Sequence, residues 1–185
     1  MTDQIKAFFA YPSSPPSLAE TIKLAVDRIG PGSPVDIVRW QSLRTGGEII
    51  INKICNEIQQ SDLIIADITN GNPNVLFELG YAIACEKRVW LIMDKTVDEA
   101  EKVFDELRIF KSVGFKGYSN ADDIVEEFYR EQPWKHLNET IYEETIKPQI
   151  QTKRAPKLLY LKLQHNTDHS AAITKAVKTT NIPLA

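Results

Sequence analysis

Cysteine is scarce: Cys55 and Cys85 are the only two in 185 residues. A disulfide framework is therefore not expected to hold the fold. Each lies in an apolar helical stretch, and both read as buried free thiols of a reducing compartment. No apolar run approaches the ~20 residues of a membrane span. The N-terminus lacks a basic segment followed by an apolar one, so no signal peptide is expected and a cytoplasmic location is the default. Positive charge is not in excess: 22 Lys+Arg against 25 Asp+Glu leave a net charge of -3 and a pI ≈ 5.7. That balance argues against nucleic-acid binding as the main function. Gly46-Gly47 lacks the Gly-Lys-Ser/Thr of a phosphate loop. His165 and His169 fall in a polar loop ahead of a helix, so no metal site is expected.

What is present is a regular alternation. Ile5–Ala10, Val35–Trp40, Asp62–Ile68, Arg88–Met93 and Ser112–Tyr118 read as strands, the last at an edge. Between them run helical patterns: Leu18–Ile29, Glu48–Gln59, the stretch from Asn72 to Cys85, and Val97–Leu107. Ser17 with Glu20 reads as a capping box for the first helix. Asp122–Arg130 and Leu137–Ile146 read as charged helices. The pattern predicts an α/β fold, a flavodoxin-like doubly wound parallel five-stranded sheet in the order 2-1-3-4-5 with helices on both faces. Residues 1–147 are expected to form this domain and 148–156 a linker. Residues 157–185 repeat the strand–loop–helix plan of the N-terminus. They are either the truncated start of a second, similar domain or a C-terminal appendage.

One charge stands out. From Val75 to Cys85 the chain is apolar or small except for Glu78. An apolar helix is normally buried, and a lone carboxylate there is costly unless paired, protonated or facing a cleft. Upstream, the strand Asp62–Ile68 carries a second carboxylate, Asp67, near its end. Trp40 ends the second strand, where it either stacks on a ligand base or packs on the rim.

The run Ser61-Asp62-Leu63-Ile64-Ile65-Ala66-Asp67-Ile68-Thr69, an Asn/Gly loop, then Asn74-Val75-Leu76-Phe77-Glu78-Leu79-Gly80-Tyr81-Ala82 resembles the nucleoside 2-deoxyribosyltransferase-like proteins and the TIR-like nucleotide-binding domains. The resemblance implies chemistry at an N-glycosidic bond. It makes Glu78 the carboxylate at the sugar's anomeric carbon. Asp67 is implied as the acidic residue at the strand end, and Tyr11, Pro12 and Ser13 as the loop at the base. Transferases carry a Pro-Asp-x-Gly-Thr stretch before the glutamate, whereas this chain has Asn72-Pro73-Asn74-Val75. The weight therefore moves to the TIR-like side.

The chemistry suits these groups. Breaking the bond creates an oxocarbenium-like sugar that a nearby carboxylate stabilises or traps. Asp67 is expected to orient ribose hydroxyls or relay a proton. The N–H groups around Asn72 and Asn74, at a helix N-terminus, are expected to hold phosphate. The leading expectation is a hydrolase of NAD, taken as substrate with no cofactor. By resemblance it acts in bacterial antiviral defence and self-associates as a homo-oligomer. The alternatives are a nucleotide-sensing module that does not cleave and a nucleoside 2-deoxyribosyltransferase. Neither membrane nor nucleic acid is an expected partner.

Overall fold

The structure, a computed structural model, describes residues 4–30, 32–42, 50–98, 100, 104 and 113–142. All of them belong to a unit bounded at Gln149. The Thr45-Gly46-Gly47 segment, the expected helix start at Glu48, the linker at 148–156 and all of 157–185, with His165 and His169, lie outside the described residues. So does most of the helix expected at Val97–Leu107.

The described sheet has five strands: β1 (Ile5–Ala10), β2 (Val35–Arg39), β3 (Leu63–Asp67), β4 (Arg88–Asp94) and β5 (Lys116–Tyr118). Every pairing is parallel and the order is β2-β1-β3-β4-β5, as expected. The apolar runs are near-continuous because both faces of the sheet are covered. Side chains alternate between two cores. Ala7, Phe9, Leu63, Ile65, Trp90 and Ile92 join α1 (Pro16–Ile29) and a later helix, Ala121–Glu131. Phe8, Ala10, Ile64, Ala66, Val89, Leu91 and Met93 join α2 (Ile50–Gln60) and α3 (Pro73–Ala84). We call the Ala121–Glu131 helix α4. Each fully buried Leu, Ile or Phe of these cores contributes ~1.5–3 kcal/mol.

Helix α1 buries Leu18, Ile22, Ala25, Val26 and Ile29, the set its periodicity predicts. Its start differs from expectation. Ser17 does not cap it; the helix opens at Pro16 after an extended Pro15, with no side-chain cap bond. Proline's fixed φ preorganises the first turn, and its missing N–H would have lacked a partner there anyway. Strand β2 stops one residue short of Trp40, which enters a 3-10 turn with Gln41 and Ser42. Helix α4 takes its cap from Asn120, whose side chain accepts from the N–H groups of Asp122 and Asp123. Leu137–Thr140, expected to be helical, is not. Cys55 and Cys85 are half-buried rather than core residues. No described helix is long and apolar enough to cross a membrane.

The order 2-1-3-4-5 sets the place of the site. From β1 the chain crosses by α1 to β2 on one side. From β3 it crosses by α3 to β4 on the other. The crevice between these departures, at the carboxyl ends of β1 and β3, is where open parallel sheets bind ligands.

Candidate active site

A cleft of about 270 Å³ opens at that point. The segment leaving β1 supplies Tyr11, Pro12 and Ser13, and the turn after β2 supplies Trp40. Helix α3 and its cap supply Asn72, Asn74, Phe77 and Glu78, and α2 adds Ile50, Ile51 and Ile54. Seven of the residues expected from sequence thus meet here: Tyr11, Pro12, Ser13, Trp40, Asn72, Asn74 and Glu78.

The wall on the β1 side is braced. The Trp40 indole Nε1 donates to the Tyr11 carbonyl at 3.1 Å. The Tyr11 hydroxyl donates to Gln41 Oε1 at 2.9 Å. The Tyr11 and Trp40 rings lie 6.2 Å apart and tilted, and Phe9 meets Tyr11 edge-on at 5.6 Å. Burial raises the Tyr11 phenol above its ordinary pKa, with the Arg39 charge opposing. Tyr11 is therefore a buried neutral wall whose hydroxyl is engaged behind the cleft.

Glu78 is the unusual group of the lining. Helix α3 buries Val75, Glu78, Leu79, Ala82 and Ile83. This is the i, i+3, i+4, i+7, i+8 stripe of a core-facing helix, and Glu78 occupies a core position within it. Its side chain is 6% exposed, and Oε2 is buried with no hydrogen-bond partner. A buried polar atom left unpaired is rare and calls for an explanation. Loss of hydration pushes the carboxyl pKa up from 4.5 to about 7. Glu78 thus lines the cleft with Oε2 buried and unpartnered.

Asp67 occupies a different place. It is 0% exposed and absent from the described cleft lining. Its Oδ1 accepts from the Thr69 N–H at 2.9 Å and its Oδ2 from the Tyr118 hydroxyl. Thr69 Oγ1 in turn accepts from the Asp94 N–H at 2.9 Å. The network ties together the carboxyl ends of β3, β4 and β5. Burial raises the Asp67 pKa, while the bonds from Thr69 and Tyr118 oppose the rise. Burial, followed by the Asp67 charge, raises the Tyr118 hydroxyl. The second carboxylate expected beside Glu78 is thus turned away from it by the strand's period of two: Asp67 follows Leu63 and Ile65 onto the α1/α4 face, whereas α3 packs on the other.

At the start of α3, where a phosphate site is expected, the cap engages N–H groups of the first turn. Asn72 Oδ1 accepts from the N–H of Asn74 at 2.9 Å and of Val75 at 3.4 Å. The Leu76 N–H bonds the Asn72 carbonyl at 2.9 Å, and Pro73 has no N–H to offer. In the first turn Pro73 has no donor and the Asn74 and Val75 N–H groups are both taken by the cap. Asn72 is a helix cap first.

The lining residues that sequence reasoning missed are the apolar ones. Ile50, Ile51 and Phe77 are 42%, 39% and 49% exposed, and all three meet at the cleft mouth. Phe77 stacks on Tyr81 with ring centroids 6.4 Å apart. The signal lay in Ile50-Ile51: adjacent residues on a helix point about 100° apart, so a narrow core stripe does not absorb both. Helix α3 likewise is not buried all round, since Phe77 and Gly80 are exposed.

No protein-family model matches the chain. No curated protein matches it. Solved structures that resemble it include a Clostridium botulinum CMP N-glycosidase, BcmB, with a TM-score of 0.47 and 15% identity over 68% of this chain and 98% of that one. The flavoenzyme NAD(P)H:(acceptor) oxidoreductase FerB from Paracoccus denitrificans has a TM-score of 0.43 and 12% identity, over 76% of this chain and 98% of that one. The TIR domains of the activated Roq1 resistosome have a TM-score of 0.40 and 12% identity, over 95% of this chain and 99% of that one. None of these likenesses carries the functional argument, which rests on the cleft.

Proposed function

We propose that the protein is an N-glycosidase that hydrolyses the bond between base and ribose in a nucleotide, NAD in the first instance. The observation that carries this reading is the unpartnered, nearly buried carboxylate of Glu78 facing the cleft. As the C–N bond breaks, its electron pair moves onto the departing nicotinamide nitrogen, which becomes neutral. The Glu78 carboxylate supports the positive charge left on the anomeric carbon. Water then adds at that carbon and releases one proton, giving free nicotinamide and ADP-ribose.

The choice of leaving group follows from what surrounds Glu78. Among the described lining residues it is the only carboxylate, and Asp67 is absent from that lining. A neutral base such as adenine needs a proton to depart, whereas a cationic pyridinium needs none. A carboxylate in a cleft whose described lining holds no Lys or Arg also favours a cationic ring. NAD is thus substrate, not cofactor. A role in bacterial antiviral defence, with self-association governing activity, belongs to the same proposal through the resemblance of residues 61–83.

The same solitary carboxylate also suits a module that holds a cationic nucleotide without cleaving it. The test separates the readings. The protein is incubated with NAD, and separately with a deoxynucleoside plus a free base, and products are followed by chromatography. Nicotinamide and ADP-ribose from NAD are expected. Base exchange alone points to a transferase, and nucleotide binding without turnover to a sensor; either outcome overturns the proposal.

A further inference from the structure

We infer that the cleft recognises the base-and-ribose half of its ligand, with the base on Phe77 at the mouth and the ribose over Glu78, and gains nothing from phosphate. The inference rests on the proposed function for its ligand class and goes beyond it in assigning recognition to one half of the molecule and to Phe77.

Three features lead there. The first is the apolar mouth. Phe77, Ile50 and Ile51 leave large apolar faces in water at one spot, around a cleft whose floor carries Glu78. Exposed apolar surface concentrated at a cavity marks a binding surface. A flat, half-exposed ring such as Phe77, already backed by Tyr81, is a stacking platform for a planar base. Phe77 and Glu78 both line the cleft, Phe77 at its exposed edge and Glu78 buried within it.

The second is the closure of the α3 N-terminus. The Asn74 and Val75 N–H groups are held by the Asn72 side chain, so that turn offers no free donors to a phosphate. The polar side chains that remain among the described lining, Ser13, Asn74 and the amide NH2 of Asn72, are neutral and fit ribose hydroxyls.

The third is size. Sites for drug-sized ligands run from ~300 to ~1,000 Å³, and this one, at about 270 Å³, accepts one nucleoside unit. The rest of a dinucleotide would lie beyond the described cleft.

The experiment measures binding by calorimetry to the Glu78→Gln protein, which removes turnover as a complication. The ligands are nicotinamide riboside, nicotinamide mononucleotide and NAD. The three dissociation constants are expected within about threefold of one another, and steady between about 50 and about 500 mM salt. Adding Phe77→Ala is expected to weaken all three ~10-fold or more, with Phe77→Tyr retaining affinity. Phe77 is half-exposed, so the fold survives its loss, which an unchanged melting temperature verifies. NAD binding at least tenfold tighter than the riboside, no effect of Phe77→Ala, or no binding of any of the three overturns the inference. Failure of the hydrolase reading shows up separately: the wild-type protein would release no nicotinamide while riboside binding persisted.

Discussion

Glu78→Gln is expected to melt well above the wild-type protein at pH 8, and close to it at pH 5. The native carboxyl titrates at about 7 because burial strips its water, while the unfolded chain titrates near 4.5. Between those values the native state holds a proton that the unfolded state has released. Stability therefore falls as pH rises from about 4.5 to about 7, and stays at its lower level above. Glutamine is neutral at every pH and escapes this penalty. The gap at pH 8 approaches ~3 kcal/mol and shrinks below ~1 kcal/mol at pH 5. For a chain of this length ~3 kcal/mol corresponds to roughly 6–10 °C in Tm. Thermal melts of both proteins across pH 5–8 provide the check. An ion-paired structural Glu78 predicts the reverse sign, with the glutamine variant melting lower at pH 8. Under the proposed mechanism activity runs opposite to stability, because the ionised carboxylate is the competent form.

Asp67→Ala is the second large effect. It strands the Thr69 N–H and the Tyr118 hydroxyl in a core where Asp67 and Thr69 are 0% and Tyr118 1% exposed. Each stranded buried group costs ~1–3 kcal/mol, for a loss of ~2–5 kcal/mol in all. Asp67→Asn should cost ~1 kcal/mol, since its amide oxygen still accepts from Thr69 and its NH2 group donates to the Tyr118 oxygen. Denaturant melts measure both. The Asn variant is also expected to keep turnover near the wild-type rate. Lost turnover with retained stability would restore Asp67 to the proton relay that its place in the sequence motif implied.

The two carboxylates show where the sequence was legible and where it was not. The strands were legible because a parallel sheet covered on both faces leaves near-continuous apolar runs, and Ile5–Ala10 carries its bounds openly. The buried set of α1 follows its 3.6-residue period. The cleft was legible because the order of strands fixes where β1 and β3 end together, so Tyr11 and Glu78 had to meet. Asp67 lies eleven residues before Glu78, but on an extended strand, and there parity decides the face. Counting by twos from Leu63 and Ile65 was enough to turn it away from α3. Asn72 was ambiguous for a different reason: a cap and a ligand contact demand the same residue, and only the bonds to Asn74 and Val75 decide between them. Phe77 was hidden by its own chemistry, because an aromatic on an apolar helix looks like core until its exposure is known.

Release of free nicotinamide from NAD at pH 8, by the wild-type protein and by Glu78→Gln side by side, tests the central claim most directly. Steady release by the wild type and a rate at least ~100-fold lower in the variant are expected. Equal rates in the two proteins would contradict it.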